Sequence, residues 1–296
     1  GIPGRQDPSR PKQLYHFSLR AGFLALVCGL TCVRPVAAAS ARTGHSATLL
    51  PNGNILMVGG YDGGVALTSA TLVAAGALQD RTQLTVRRAY HTATLLPNGE
   101  VLVAGGKCQG PTTCAGNTDG AAGAVNNVAV YNPAWDCWHA PITGNFTPRF
   151  YHTATLLRTG ADSGDVLLCG GENSSGILDT CDRYHPTNPQ AWSAVNQGCG
   201  NAPGTMSQNA ATLGQGRELH TATMLPDGRV FLAGGRTSAA FPNDYTTTTE
   251  IFDPVSGEVR SAYPLSQGRA SHQATLTGDG KVLITGGFDG DNVVDN

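Results

Sequence analysis

The stretch RAYHTATLLPNGEVLVAGG, residues 88–106, decides the fold because it returns four more times along the chain. The other copies are RTGHSATLLPNGNILMVGG from Arg42, RFYHTATLLRTGADSGDVLLCGG from Arg149, RELHTATMLPDGRVFLAGG from Arg217 and RASHQATLTGDGKVLITGG from Arg269. From the His to the first Gly the interval is 14 residues in four copies and 18 in the third, where residues 158–165 lengthen a turn. Copies begin 46, 61, 68 and 52 residues apart, a spacing that marks a repeat architecture with one supersecondary unit per copy.

Each copy reads as a β-hairpin. The His-x-Ala-Thr-Leu segment suits a strand, and the Asn-Gly or Asp-Gly pair at 52, 98, 227 and 279 supplies the positive φ angles of a tight turn. A short aliphatic run then returns and ends in a Gly pair, where the missing Cβ lets backbones approach closely. These strands are apolar at nearly every position, so both of their faces must be covered and sheet must stack on sheet. Downstream of the Gly pair, residues 127–131 and the neighbourhood of Trp138 offer a third and a fourth strand. Tyr131 with Trp138, Tyr184 with Trp192 and Phe252 with Val259 hold comparable spacings, whereas the first copy has no aromatic pair there. Four strands per unit is what a propeller blade requires.

The HTATLLPNGxVLVxGG unit, with its Gly pair and downstream Tyr and Trp, resembles the kelch repeat of secreted bacterial-type proteins. The resemblance runs from Arg42 to the end of the chain, residues 40–296 forming the propeller. It implies an all-β fold with four complete four-stranded blades and a partial fifth. Such propellers close with five to seven blades, and here the fifth copy stops nine residues after Gly287. The expectation is therefore an incomplete ring or a fragment of a longer protein, with further domains beyond residue 296.

Composition agrees with a turn-rich β protein: Gly is 39 of 296 residues without a Gly-X-Y period, charged residues are 14% and hydrophobic residues 40%. Residues 1–20 read as an upstream segment and 21–39 as a signal peptide. The latter has a 13-residue apolar run after Arg20, too short to span a bilayer, and a small-residue end at Val36 to Ser40. Its removal leaves 14 basic and 20 acidic residues and no Lys/Arg run. That balance speaks against nucleic acid and against a membrane surface as partners. Six cysteines remain, an even number that favours disulfides in an exported chain. Cys108 with Cys114 is the best single pair, Cys169 and Cys181 could bridge neighbouring strands, and Cys137 and Cys199 stay open. Zinc is disfavoured because there is no Cys-x-x-Cys and His139 lacks a partner at ligand spacing. The localisation expected is secreted, periplasmic or cell surface.

Antiparallel strands put the start of the first strand and the end of the second on one rim, so each Arg and His shares a face with the loop after its Gly pair. The Asn-Gly turns fall on the opposite face and are uniform, whereas the loops of the first face vary, which is where binding residues sit on a rigid scaffold. Candidate binding residues are Tyr61, Asp62, Arg88, Tyr90, His91, Lys107 and the segment after it to Val125, Arg149, Tyr151, His152, Glu172, Arg236 and Phe288. The His at 45, 91, 152, 220 and 272 and the Arg at 42, 88, 149, 217 and 269 recur once per unit. That recurrence favours a structural duty over a ring of metal ligands. The function expected is a binding or adhesion module for a protein or glycan, with no catalytic residue and no cofactor.

Two enzymes compete with that reading. The stretch from Arg88 also resembles galactose oxidase and glyoxal oxidase, copper-radical enzymes on kelch-like propellers in which an adjacent Tyr-His pair binds copper. Tyr90-His91 and Tyr151-His152 match that dipeptide. The resemblance also implies a tyrosine cross-linked to a cysteine and a His from a C-terminal domain, neither of which is assignable here. The other competitor is a periplasmic sugar epimerase of the kelch kind, which needs acid/base groups that the sequence does not single out.

Overall fold

Successive antiparallel sheets follow the repeats in a computed structural model of the chain, which describes residues 41–109, 114, 118–119, 123–159, 163–187, 199–200, 204–238, 244–290 and 292–294. The segments 1–20 and 21–39, Trp192 and parts of the 107–125 and 236–245 loops lie outside the described residues. Blade one consists of Ser46–Leu49, Ile55–Val58, Ala70–Ala74 and Ala77–Arg81, in that spatial order. Blade two is Thr92–Leu95, Val101–Ala104, Asn127–Asn132 and Cys137–Trp138, with Ile142–Thr143 pairing back onto its third strand. Blade three is Thr153–Leu156, Val166–Cys169, Thr180–Pro186 and Gly204–Thr212; blade four is Thr221–Met224, Val230–Ala233, Thr249–Phe252 and Val259–Ser261. Gln273–Leu276 pairs with Val282–Thr285 as the two strands of blade five. The chain is a kelch-like all-β propeller with four complete blades and a partial fifth.

Register is the same in every first hairpin: Ser46 faces Val58, Thr92 faces Ala104, Thr153 faces Cys169, Thr221 faces Ala233 and Gln273 faces Thr285. The longer turn of the third copy leaves that register intact. The turns differ from expectation in one respect, because at the Asn-Gly and Asp-Gly pairs only the Gly takes a positive φ. Gly53 and Gly99 donate backward to the carbonyls of Leu50 and Leu96. This is a turn opened by Pro51 or Pro97, whose fixed φ suits the position after the first carbonyl. Blade one lacks the downstream aromatics yet completes its sheet, because Ala75 and Gly76 both adopt positive φ and close a two-residue hairpin.

The core lies between blades rather than within one. On the second strand of blade two, Val101 and Val103 pack with Leu56, Val58 and Leu72 of blade one. Leu102 and Ala104 pack with Val166, Leu168 and Tyr184 of blade three. Leu167 and Cys169 then meet Val230, Leu232 and Phe252 of blade four. Alternation thus serves two neighbours at once, which is why the run is uniformly apolar. Each fully buried Val or Leu contributes roughly 1.5–3 kcal/mol. By contrast the outer flanks of blades one and five carry exposed apolar side chains, with Leu49 64% and Leu283 53% exposed.

All six cysteines after residue 40 are paired, as Cys108–Cys114, Cys137–Cys199 and Cys169–Cys181. The last pair sits directly opposite in the ladder between the second and third strands of blade three. Three disulfides are the signature of an oxidising compartment. Among the described residues no helix is long and apolar enough to cross a membrane.

Candidate functional site

The first strands of successive blades lie side by side at the centre, and a backbone ladder binds their entrances. The residue two after each repeat Arg takes a left-handed conformation: Gly44, Tyr90, Tyr151, Leu219 and Ser271 all have φ between 53° and 64°. Tyr90 N–H donates to Gly44, Tyr151 to Tyr90, Leu219 to Tyr151 and Ser271 to Leu219. Left-handed backbone costs a non-glycine residue about 1–2 kcal/mol, here offset by a hydrogen bond that joins two blades. The same twist turns these side chains onto the rim. Gly44 must be small, since a Cβ there would lie 2.7 Å from the Tyr90 ring.

Behind this rim the repeated Arg, His and Gly pair lock the blades. Arg88, Arg149 and Arg217 are fully buried and donate to the carbonyls of Gly105, Gly170 and Gly234 in their own blades. Arg149 also pairs with Asp182 at 3.2 Å and Arg217 with Glu250 at 2.6 Å. The second Gly of each of the first four pairs donates to the next blade's Arg carbonyl, as from Gly60 to Arg88 and from Gly106 to Arg149. The first Gly must stay bare, because a Cβ on Gly59, Gly105 or Gly170 would sit 2.3 Å from that carbonyl's chain. Each His reaches back across the seam: the Nε2 atoms of His91, His152, His220 and His272 lie 2.8, 2.9, 3.0 and 2.8 Å from the hydroxyls of Ser46, Thr92, Thr153 and Thr221. Burial, helped by the neighbouring Arg, pushes His91 down to about 3 and His272 to about 4, and lowers His152 and His220 strongly. These imidazoles stay neutral at physiological pH.

This placement divides the expected site. Arg88, Arg149, His91 and His152 face the interior of the seams, so their burial takes them out of any contact surface. The Tyr90, His91, Tyr151 and His152 set does not fit copper, because both imidazole Nε2 atoms are engaged across seams and both Nδ1 atoms are enclosed. Among the described residues no three His, Cys, Asp or Glu side chains converge as a metal site.

The remaining candidates share a single position. Tyr61, Lys107, Glu172, Arg236 and Phe288 each follow a Gly pair and bridge the residue just after the repeat Arg, namely Thr43, Ala89, Phe150, Glu218 and Ala270. Asp62 is exposed in the short hairpin that Tyr61 opens. The Tyr61, Tyr90 and Tyr151 rings form a strip, with centroids 5.4 and 4.7 Å apart and planes tilted by 56° and 51°. Burial and the nearby Tyr90 push the Tyr61 phenol up to about 12, and the Tyr61 hydroxyl donates to Gln109. Lys107 places its ammonium 4.7 Å over the Phe150 ring, and Phe288 meets Tyr245 at 5.3 Å.

Glu218 is a buried carboxyl beside the rim that the sequence reading passed over. It occupies a repeat position held elsewhere by Thr, Ala or Phe, and that lone charge was the available signal. It is 0% exposed, and its Oε1 accepts from Nε (2.6 Å) and Nη2 of Arg236. Burial and the adjacent Glu172 push its carboxyl up to about 7 against the pull of Arg236. Burial, then Tyr90 and Glu218, raise the Tyr151 phenol. A separate cleft of about 240 Å³, lined by Leu84, Trp138, His139, Pro141 and Cys199 among others, involves none of these rim residues.

No family model matches the sequence, and no curated protein does. Among solved structures, the one described as "Structure of YjhT" aligns with a TM-score of 0.64 at 15% identity, over 86% of this chain and 80% of that one. It bears out the propeller fold alone. A fungal alcohol oxidase of the AA5 family in complex with copper aligns with a TM-score of 0.49 at 15% identity, over 83% of this chain and 58% of that one. That likeness is too loose to carry chemistry.

Proposed function

We propose that the protein is an exported recognition module that captures a protein or glycan on the rim carrying Tyr61, Tyr90, Lys107, Tyr151, Glu172, Arg236 and Phe288. One observation carries this reading. At five equivalent positions after the Gly pair the chain presents five different side chains, aromatic, cationic and anionic, while the Arg, His and Gly pair beside them recur. Chemical variety on a rigid frame is how a surface acquires specificity without loss of stability. Export accords with the three disulfides and the apolar run before residue 40. The test is a photo-crosslinker placed at Lys107 and, as control, at Asn98 in the opposite turns. The expected result is partner capture from Lys107 alone, abolished by combined Tyr90→Ala and Tyr151→Ala; capture that survives both changes removes the reading.

A sugar-epimerising activity is the second reading, favoured by the protonatable Glu218 beside Glu172 and Tyr151 on the same rim. Epimerisation at carbon takes a proton from one face and returns one to the other, which such a pair could serve. Incubation of aldoses in deuterated water with the protein, followed by mass analysis, decides it. Absence of enzyme-dependent deuterium uptake ends this second reading.

A further inference from the structure

The rim holds a charge imbalance where blades three and four meet. Two carboxylates, Glu172 and Glu218, share one guanidinium, and Arg236 spends it unevenly. It grips Glu218 through Nε and Nη2 but stays 3.9 Å from Glu172. Glu218 is fully buried, and its second oxygen, Oε2, has no hydrogen-bond partner. The Glu172 carboxyl lies within hydrogen-bonding reach of the Glu218 carboxyl, a contact that forms only when one of the two carries a proton. An orphaned acceptor in a low-dielectric place is costly, so the site calls for a donor with positive charge.

We propose that Glu172 and Glu218 form a subsite for one primary ammonium group of a protein partner, a lysine side chain, seated beside the Tyr151 ring. This rests on the rim being a recognition surface. An ammonium brings three donors and one charge: entering in place of the shared proton from the side of Glu172, whose side chain stays 22% exposed, it engages both carboxylates and cancels the excess negative charge. Tyr151, close enough to Glu218 to feel its charge, is the aromatic ring beside the same cation. The chain already makes that contact one blade earlier, where the Lys107 ammonium lies over Phe150. An anionic group would face Glu172 unfavourably, and a neutral hydroxyl would leave the charge uncancelled. The Tyr rings stand tilted against one another rather than forming a flat platform for a sugar, which favours a protein side chain.

The charged and titratable groups facing Glu218 are Arg236 on its own blade, Glu172 on blade three, and Tyr151. Arg217, its chain neighbour, points inward to Glu250. An arriving ammonium therefore displaces the proton held by the carboxyl pair. Below about pH 7 the two compete, and above it the site is open, so affinity rises about tenfold from pH 6 to pH 8.

Nα-acetyl-lysine methylamide and its Nε-acetylated counterpart are the probes, titrated calorimetrically at pH 6 and pH 8 in two buffers of different protonation enthalpy. The expected result is saturable binding of the lysine probe, at least tenfold weaker binding of the acetylated one, proton release at neutral pH, and loss of all three in Glu172→Gln with a melting temperature no lower than the parent's. Equal affinity for the two probes, no binding of the lysine probe, or affinity independent of pH overturns the proposal. If the lysine probe fails while partner capture still depends on Tyr90 and Tyr151, the subsite falls and the recognition rim stands. If capture fails as well, the rim reading falls with it.

Discussion

Two sets of positions lie within a few residues of each other in every repeat and behave oppositely. The Arg, the His and the Gly pair recur in all five copies and face the seams, where they bind backbone carbonyls, hydroxyls of the preceding blade and each other's glycines. The residue two after the Arg and the residue just after the Gly pair vary among the copies and lie at the rim, the latter being different in all five. The difference teaches that recurrence here marks mechanical duty. A seam looks the same to every blade because the neighbouring blade always presents the same carbonyl and hydroxyl. The rim has no such neighbour and is free to vary.

The sharpest way to break this comparison is acid. Four seam histidines have folded values pushed below the ordinary 6.5, so protonation favours the unfolded chain. Their contribution is present above about pH 6.5 and is lost as pH falls toward the depressed values. Each removes at most about 1.4 kcal/mol per pH unit, roughly 5.5 per pH unit for the four together. Denaturant titrations from pH 8 to pH 5 should show a steep loss below pH 6.5; a flat profile would mean the imidazoles are not held neutral in the seams.

Next in size is Arg149→Met, which strands the fully buried Asp182 without its cation. A loss of about 3–5 kcal/mol is expected in chemical denaturation, and a loss under about 1 would contradict the seam role. The glycines then offer an internal control. Gly170→Ala drives a Cβ to within 2.3 Å of the Arg217 carbonyl oxygen and should cost about 2–4 kcal/mol. Gly286→Ala meets nothing within 4 Å and should cost only the left-handed backbone term, about 1 kcal/mol. Similar costs at both sites would show that seam packing is not what the Gly pair serves.

Smaller still is the effect at Glu218. Its folded value lies above the ordinary carboxyl range, so its stabilising share is present at low pH and is lost as pH rises through about 7. Glu218→Gln should therefore gain stability relative to the parent on going from pH 5 to pH 8, read from paired melting curves; a gain in the opposite direction would place the proton elsewhere. The smallest effect belongs to the outer rim, where Lys107→Ala should change stability by no more than about 0.5 kcal/mol.

Much of the frame was legible because it is local. The Gly pair, the hairpin register and the third and fourth strands of blade two fall where the repeat puts them. Cys108–Cys114 spans a six-residue separation, and Cys169–Cys181 joins strands that the repeat already sets side by side. Cys137–Cys199 was not legible, because it crosses 62 residues from blade two to the segment before the last strand of blade three. The turn geometry was half legible, since Pro51 and Pro97 rather than the Asn-Gly pair set its first corner. Among site residues the once-per-unit recurrence of Arg and His already pointed to a structural duty, and Arg88, Arg149, His91 and His152, which also stood among the binding candidates, are buried in the structure.

By itself the sequence determined the repeat, the strand order within a blade and the face on which variation collects, because hydrogen-bond register and side-chain alternation act over a few residues. The tertiary structure alone decided which of the neighbouring Arg, Tyr and His side chains enter a seam, and that Glu172, Glu218 and Arg236 meet. Those outcomes depend on a left-handed residue at each blade entrance and on groups 46 and 64 residues apart in sequence, brought together only when one blade stacks on the next.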